Sequence, residues 1–146
     1  MKLVIFGAGG KTGTLVTQQA LDAGYEVVAY VRRPDSVTLE HENLKVVVGE
    51  LSDRAKIKAV VAGADACVST LGGKSLTKRA TEFTQGIRHI VDAMEAEEVK
   101  RFAQPSVGNT VKQIHREVAA FSERNRSAEQ YDPHKEIYCQ FLGSRK

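Results

Sequence analysis

Apolar residues cluster in short blocks along the first two thirds of the chain, and the blocks alternate between two patterns. In one, nearly every position is apolar or β-branched: Lys2-Leu-Val-Ile-Phe6, Glu26-Val-Val-Ala-Tyr-Val31, Leu44-Lys-Val-Val-Val48, Asp65-Ala-Cys-Val-Ser-Thr-Leu71 and, more weakly, Val99-Lys-Arg-Phe-Ala103. Runs of that length suit strands buried on both faces, as in a parallel sheet. In the other pattern apolar positions recur at helical spacing. Phe83, Ile87, Ile90, Val91 and Met94 make a continuous stripe along residues 77–96, the clearest helix of the chain. Ile57, Val60 and Val61 share a face of a shorter helix, with Ser52-Asp53 as its N-cap and Gly63 at its end. Thr14–Leu21 reads as the helix after the first strand, and Gly24 is placed for the left-handed conformation that ends many helices.

Strands alternating with helices imply right-handed crossovers and a sheet covered on both faces. Residues 1–106 therefore read as a doubly wound parallel α/β sheet with strand order 3-2-1-4-5. The tail has a different texture. Val111, Ile114, Val118 and Phe121 suit one helical face and Ile137, Phe141 and Leu142 another, with a polar run at 122–130 between them. The expectation is a single domain over 1–146 in which 109–146 is a divergent or shortened helical tail.

Composition narrows the partners more than the fold. A chain of 146 residues with 27% charged residues is an ordinary globular domain. The net charge of +3 is spread along the chain, too weak to argue for nucleic acid or a membrane surface but suited to a small anionic ligand. The two cysteines, Cys67 in an apolar run and Cys139 on an expected tail helix, form no CxxC pair. With no disulfide framework, no room for a signal peptide before the first strand and no apolar run long enough to span a bilayer, a cytoplasmic protein is expected. Histidines 41, 89, 115 and 134 are scattered without metal-ligand spacing, and His89 reads as a partly exposed helix residue.

The stretch with the most chemistry is Gly7-Ala-Gly9-Gly10-Lys11-Thr12-Gly13, at the junction of the first strand and first helix. Glycines there let the backbone approach a pyrophosphate, and the helix N-terminus offers it unpaired N–H groups and partial positive charge. A tight structural turn without ligand is the alternative. About 20 residues further on, at the end of the second strand, NAD-binding units carry an acidic residue that holds the ribose hydroxyls. This chain has Arg32 and Arg33 instead. A guanidinium binds a 2′-phosphate bidentately where a carboxylate repels it, and Lys11 adds a second charge. NADP(H) is therefore favoured over NAD(H), with a solvated basic turn as the competing reading.

Taken in order, Gly7-x-x-Gly10-x-x-Gly13, Val31-Arg-Arg-Pro34, Gly49-Glu-Leu-x-Asp53, Gly63-Ala-Asp-Ala-Cys-Val-Ser-Thr-Leu-Gly72 and Val99-Lys-Arg-Phe102 resemble the atypical short-chain dehydrogenase/reductases. Within them the chain is most similar to the NmrA-like and flavin/biliverdin-reductase-like NAD(P)-binding proteins, over residues 2–108. The resemblance implies a Rossmann-like fold in which Gly7, Gly10, Lys11, Thr12 and Gly13 face the pyrophosphate and Arg32 the 2′-phosphate. It puts Gly49, Glu50 and Leu51 by the adenine, with Glu50 where the family more often has Asp. Ser69, Thr70, Leu71 and Gly72 would run along the nicotinamide-side ribose, and Ser106 would border the substrate. Two departures stand out: Ala103-Gln-Pro-Ser106 replaces the usual apolar-x-Ser-Ser, and relatives continue into a further strand and a substrate lobe. Part of the usual substrate pocket is therefore expected to be missing.

Tyr131-Asp-Pro-His-Lys135 matches the Tyr-x-x-x-Lys pair that moves a proton in the wider superfamily, where a serine, here Ser106, orients the carbonyl. Against a catalytic role, Asp132-Pro133 reads as a helix start that leaves Tyr131 outside the helix and out of line with Lys135. The sequence thus supports an NAD(P)H-dependent oxidoreductase passing hydride to a small acceptor such as a flavin or quinone. The rival is a non-catalytic NADP-binding redox sensor or regulatory module. An uncovered fifth-strand edge would also suit a homodimer.

Overall fold

Leu3, Val4, Ile5 and Phe6 are fully buried, and the molecule is built outward from them. In the computed structural model, which describes residues 1–72 and 79–104 (leaving aside the side chains of 79–81), they belong to the central strand of a five-stranded parallel sheet. The strands are β1 (Lys2–Phe6), β2 (Glu26–Val31), β3 (Leu44–Val48), β4 (Ala66–Ser69) and β5 (Phe102–Ala103), in the order β3-β2-β1-β4-β5. The doubly wound arrangement expected from the apolar runs is the one observed. Register is carried by pairs such as Ile5 with Ala29 and Val68, and Ala29 with Val46.

Side chains of a strand alternate between faces, so one apolar run feeds two cores. Val4, Phe6, Val28 and Tyr30 meet Ile57 and Val61 of α2 (Arg54–Val61) and Ile87, Ile90 and Met94 of α3 (Arg79–Ala96). Leu3, Ile5, Val27 and Ala29 meet Ala20 and Leu21 of α1 (Lys11–Asp22). Each buried Val, Leu, Ile, Phe or Met among them stabilises the fold by about 1.5–3 kcal/mol of transfer free energy.

Three boundaries differ from the sequence pattern, each for a local reason. Helix α1 begins at Lys11, inside the glycine motif rather than at Thr14, because Gly10 is its N-cap and accepts the Thr14 amide at 2.8 Å. Strand β4 ends at Ser69, leaving Thr70–Gly72 as loop. Strand β5 is only Phe102–Ala103 because Val99 still closes α3, donating its amide to Met94 O at 2.8 Å after Glu98 turns with φ 56°. The β2–β3 link is a 3-10 turn at Pro34–Ser36 and irregular chain, so Val46 and Val48 of the edge strand stay 38% and 41% exposed. The helical tail expected over 109–146, and with it Ser106, Tyr131 and Lys135, lies outside the described residues.

Candidate functional site

At the carboxyl end of β1 the chain must turn sharply beneath the head of α1. Gly7 does so with φ 82°, a conformation costly for any residue with a Cβ. Its amide donates to Tyr30 O (3.3 Å), and its carbonyl accepts from the Gly10 amide (3.1 Å). The Thr70 hydroxyl lies 3.0 Å from Gly7 O and 3.1 Å from Phe6 O, sharing one proton between them and tying β4 to the turn. Gly13 stands behind the turn: a Cβ there would overlap Gly7 O and come within 2.7 Å of Ala8 Cα. Its missing side chain is what lets α1 sit on the strand. Gly9 is similarly closed off, since a Cβ would come 2.6 Å from Ser36 Cβ.

Above the turn, at the strand carboxyl ends where the sheet order reverses, lies a cleft of about 450 Å³. Gly7, Gly9 and Gly10 line it from the turn after β1, Thr70, Leu71 and Gly72 from the loop after β4, and Arg32, Arg33 and Leu51 from the segments after β2 and β3. The structure therefore brings together residues from four separate sequence motifs. Of the remaining candidates, the exposed Lys11 and Thr12 open α1 at the rim, exposed Glu50 adjoins Leu51, and buried Ser69 receives the Leu71 amide on its Oγ (3.4 Å). None of these four, nor Gly13, contributes to the lining itself.

Electrostatically the cleft is prepared for an anion. The first amides of α1 have no intrahelical partner, and Gly10 offers no side-chain cap to them. Arg32 and Arg33 are exposed, and among the described residues neither guanidinium has an ionic partner. These features, with the open main-chain turn, fit a nicotinamide dinucleotide.

Three lining residues escaped the sequence reading, Tyr30, Val31 and Ser36, whereas Gly49 was expected at the site and lines it. Tyr30 looked like one more core position in an apolar strand. Its ring does pack on Phe6, centroids 5.3 Å apart, but its hydroxyl donates to Glu50 O at 2.8 Å. Burial, helped by the carboxylates of Asp53 and Glu50, pushes that phenol up to about 12, so it remains a neutral donor. Gly49 is glycine because a Cβ would overlap the Tyr30 hydroxyl and approach Lys56 Cδ to 2.7 Å. Burial likewise pushes the Cys67 thiol up to about 12, making it an inert core group.

A family profile described as NAD(P)H-binding matches residues 7–138. The chain belongs to the NAD(P)H-binding family. Isoeugenol synthase 1 of Petunia hybrida is 29% identical to this NAD(P)H-binding domain over 123 residues, 77% of this chain and 36% of that protein. The 3-beta-hydroxysteroid dehydrogenase of Mycolicibacterium neoaurum is 26% identical over 121 residues, 75% of this chain and 33% of that one. Among solved structures, a Rossmann-fold NAD(P)-binding family protein from Shigella flexneri superposes with a TM-score of 0.67 at 23% identity, covering 85% of this chain and 61% of that one. These relatives agree with the atypical short-chain dehydrogenase/reductase, NmrA-like character of the motifs. The NAD(P)H-binding domain spans about a third of the length of the curated relatives it matches. No helix among its described residues is long and apolar enough to cross a membrane.

Proposed function

We propose that this NAD(P)H-binding domain takes NADP(H) in preference to NAD(H) and serves an oxidoreductase that reduces a small acceptor such as a flavin or quinone. The observation that carries the cofactor preference is Arg32 at the end of β2: a guanidinium on the cleft with no ionic partner among the described residues, where a ribose-binding carboxylate would otherwise stand. Bound cofactor supplies the hydride. The chain's own work is to bind and orient. The Gly7–Gly13 turn, with Lys11 and Thr12 at its rim, receives the pyrophosphate, Arg32 and Arg33 the 2′-phosphate, and Glu50 and Leu51 border the adenine. Ser69–Gly72 follow the nicotinamide-side ribose. The dehydrogenase among the relatives supports the oxidoreductase class.

The described lining contains no carboxylate, histidine or lysine, and Tyr30 stays protonated far above neutrality. That favours a second reading, an NADP-binding redox sensor, unless proton delivery falls to residues beyond those described, such as Ser106, Tyr131 and Lys135. Two measurements decide. Arg32→Asp should weaken NADPH binding by about 30- to 100-fold, the worth of lost charge-assisted bonds, and NADH binding far less. Equal losses for both would remove Arg32 from 2′-phosphate recognition. Steady-state NADPH oxidation with a panel of flavins and quinones should exceed background, and tight binding without oxidation would leave only the sensor.

A further inference from the structure

Glycine in the interior of a helix costs about 1 kcal/mol relative to alanine, so Gly86 in the middle of α3 calls for a packing reason. The reason is Leu51. A Cβ on Gly86 would come within 2.8 Å of Leu51 Cδ1 and 3.0 Å of its Cβ. The same leucine lines the cleft. One turn further along α3, His89 Nδ1 lies 2.7 Å from the Leu51 carbonyl. A carbonyl only accepts, so Nδ1 carries the proton, and it does so in the neutral and the charged ring alike. Helix α3 thus offers Leu51 both a notch and a donor, on neighbouring positions of one helical face.

The rest of the turn between β3 and α2 is held as firmly. Val48 O accepts from Lys56 Nζ (3.1 Å), Glu50 O from the Tyr30 hydroxyl (2.8 Å) and the Asp53 amide (3.1 Å), and the Asp53 carboxylate caps α2 through the Lys56 amide (3.0 Å). Leu51 is the point at which α3, remote from the cleft in sequence, reaches its wall.

We propose that Gly86 and His89 form a seat that holds Leu51 against the adenosine moiety of the bound dinucleotide, which makes His89 a positioning residue for cofactor affinity. The inference rests on the dinucleotide occupying the cleft with its adenosine end at Leu51. His89 touches no ligand and acts through the backbone of Leu51 alone.

Calorimetric titration of the whole chain with NADPH, adenosine 2′,5′-bisphosphate and nicotinamide mononucleotide tests it. His89→Leu, which strands the Leu51 carbonyl, should weaken the first two by about tenfold and leave the mononucleotide unchanged. Asn places its amide nitrogen where Nδ1 stood, so His89→Asn should restore affinity to within about twofold. Gly86→Ala improves helix propensity yet crowds Leu51 toward the cleft, so it should lower adenosine bisphosphate affinity without lowering the melting temperature. Native affinity in both His89→Leu and Gly86→Ala would overturn the seat. So would equal losses for all three ligands that His89→Asn fails to rescue, which would mark His89 as a structural residue. Wild-type protein that takes up neither NADPH nor adenosine bisphosphate would overturn the dinucleotide reading and the seat together.

Discussion

The glycine end of the cleft is walled by main chain, whereas its Arg32–Leu51 end is walled by side chains delivered from the end of β2 and the β3–α2 turn. At the first end Gly7, Gly9 and Gly10 line the cleft with main chain, Gly13 packs behind them on Gly7 O and Ala8 Cα, and what shapes the site is the absence of side chains. At the second, Arg32, Tyr30 and Leu51 do the shaping, and Leu51 is held by the His89 hydrogen bond and by packing on Gly86. A wall of backbone is rigid and common to any ligand with a pyrophosphate. A wall of side chains can be retuned one residue at a time without reworking the strand it hangs from. Substitutions at the glycine end should therefore cost fold and binding together, and those at the Arg32–Leu51 end should separate the two.

The sharpest way to break this contrast is Gly13→Ala. The added methyl would overlap Gly7 O and press on Ala8 Cα, and neither is the free end of a flexible chain that could step aside. Overpacking of this kind costs roughly 3 kcal/mol, or a fall in Tm of about 10 °C, and NADPH binding should weaken in parallel. A variant that melts like wild type while losing NADPH would show that the glycine end, too, can be tuned independently of the fold.

That contrast also explains what could be read from the sequence. The Gly7–Gly13 motif was legible because glycines at a strand–helix junction have a backbone cause, and Gly7 with φ 82° bears it out. Arg32 and Arg33 were legible from their register at a strand end. The five strands and their order followed from continuous apolar runs, which admit few other arrangements. Tyr30 and His89 were not, because their roles depend on partners 20 and 38 residues away. Periodicity accounts for Tyr30 as core and His89 as helix surface, and both descriptions are true while omitting the hydrogen bond that matters. Gly86 carries the same lesson: it answers a single side chain, Leu51, that the fold brings up to it.

A smaller effect probes the Arg32–Leu51 end through pH. Tyr30 is raised from 10.0 to about 12 and Cys67 from 9.0 to about 12 in the folded protein. Each raised value means that the folded state holds the proton more tightly than the unfolded chain. The corresponding stability is fully present below the unfolded values and drains away as pH climbs, from about 9 for Cys67 and from about 10 for Tyr30, up to about 12. Tyr30→Phe keeps the contact with Phe6 and removes only the phenol's share. Its Tm should fall less steeply than that of wild type between pH 10 and 12. At neutral pH the lost hydrogen bond should cost about 1 kcal/mol, since Glu50 O keeps the Asp53 amide. An unchanged alkaline slope would mean that Tyr30 is not the buried donor described here.

An effect of similar size and opposite sign belongs to the glycine end. Thr17 lies one turn beyond Gly13 on the inward face of α1, fully buried, and among the described residues its hydroxyl has no hydrogen-bond partner. It is a polar side chain at an end otherwise shaped by backbone. Thr17→Val replaces the hydroxyl by a methyl of similar size and leaves helix propensity nearly unchanged. Removing an unpaired buried hydroxyl should stabilise the fold by about 1 kcal/mol, a rise in Tm of about 2–4 °C in a thermal melt. NADPH affinity should stay the same, because Thr17 is behind the turn and not on the cleft. A gain in stability at constant affinity would show that the glycine end can be reinforced from behind without touching its ligand face. A loss of NADPH affinity would instead place the Thr17 hydroxyl in the binding apparatus, and the division between a main-chain end and a side-chain end would fail there.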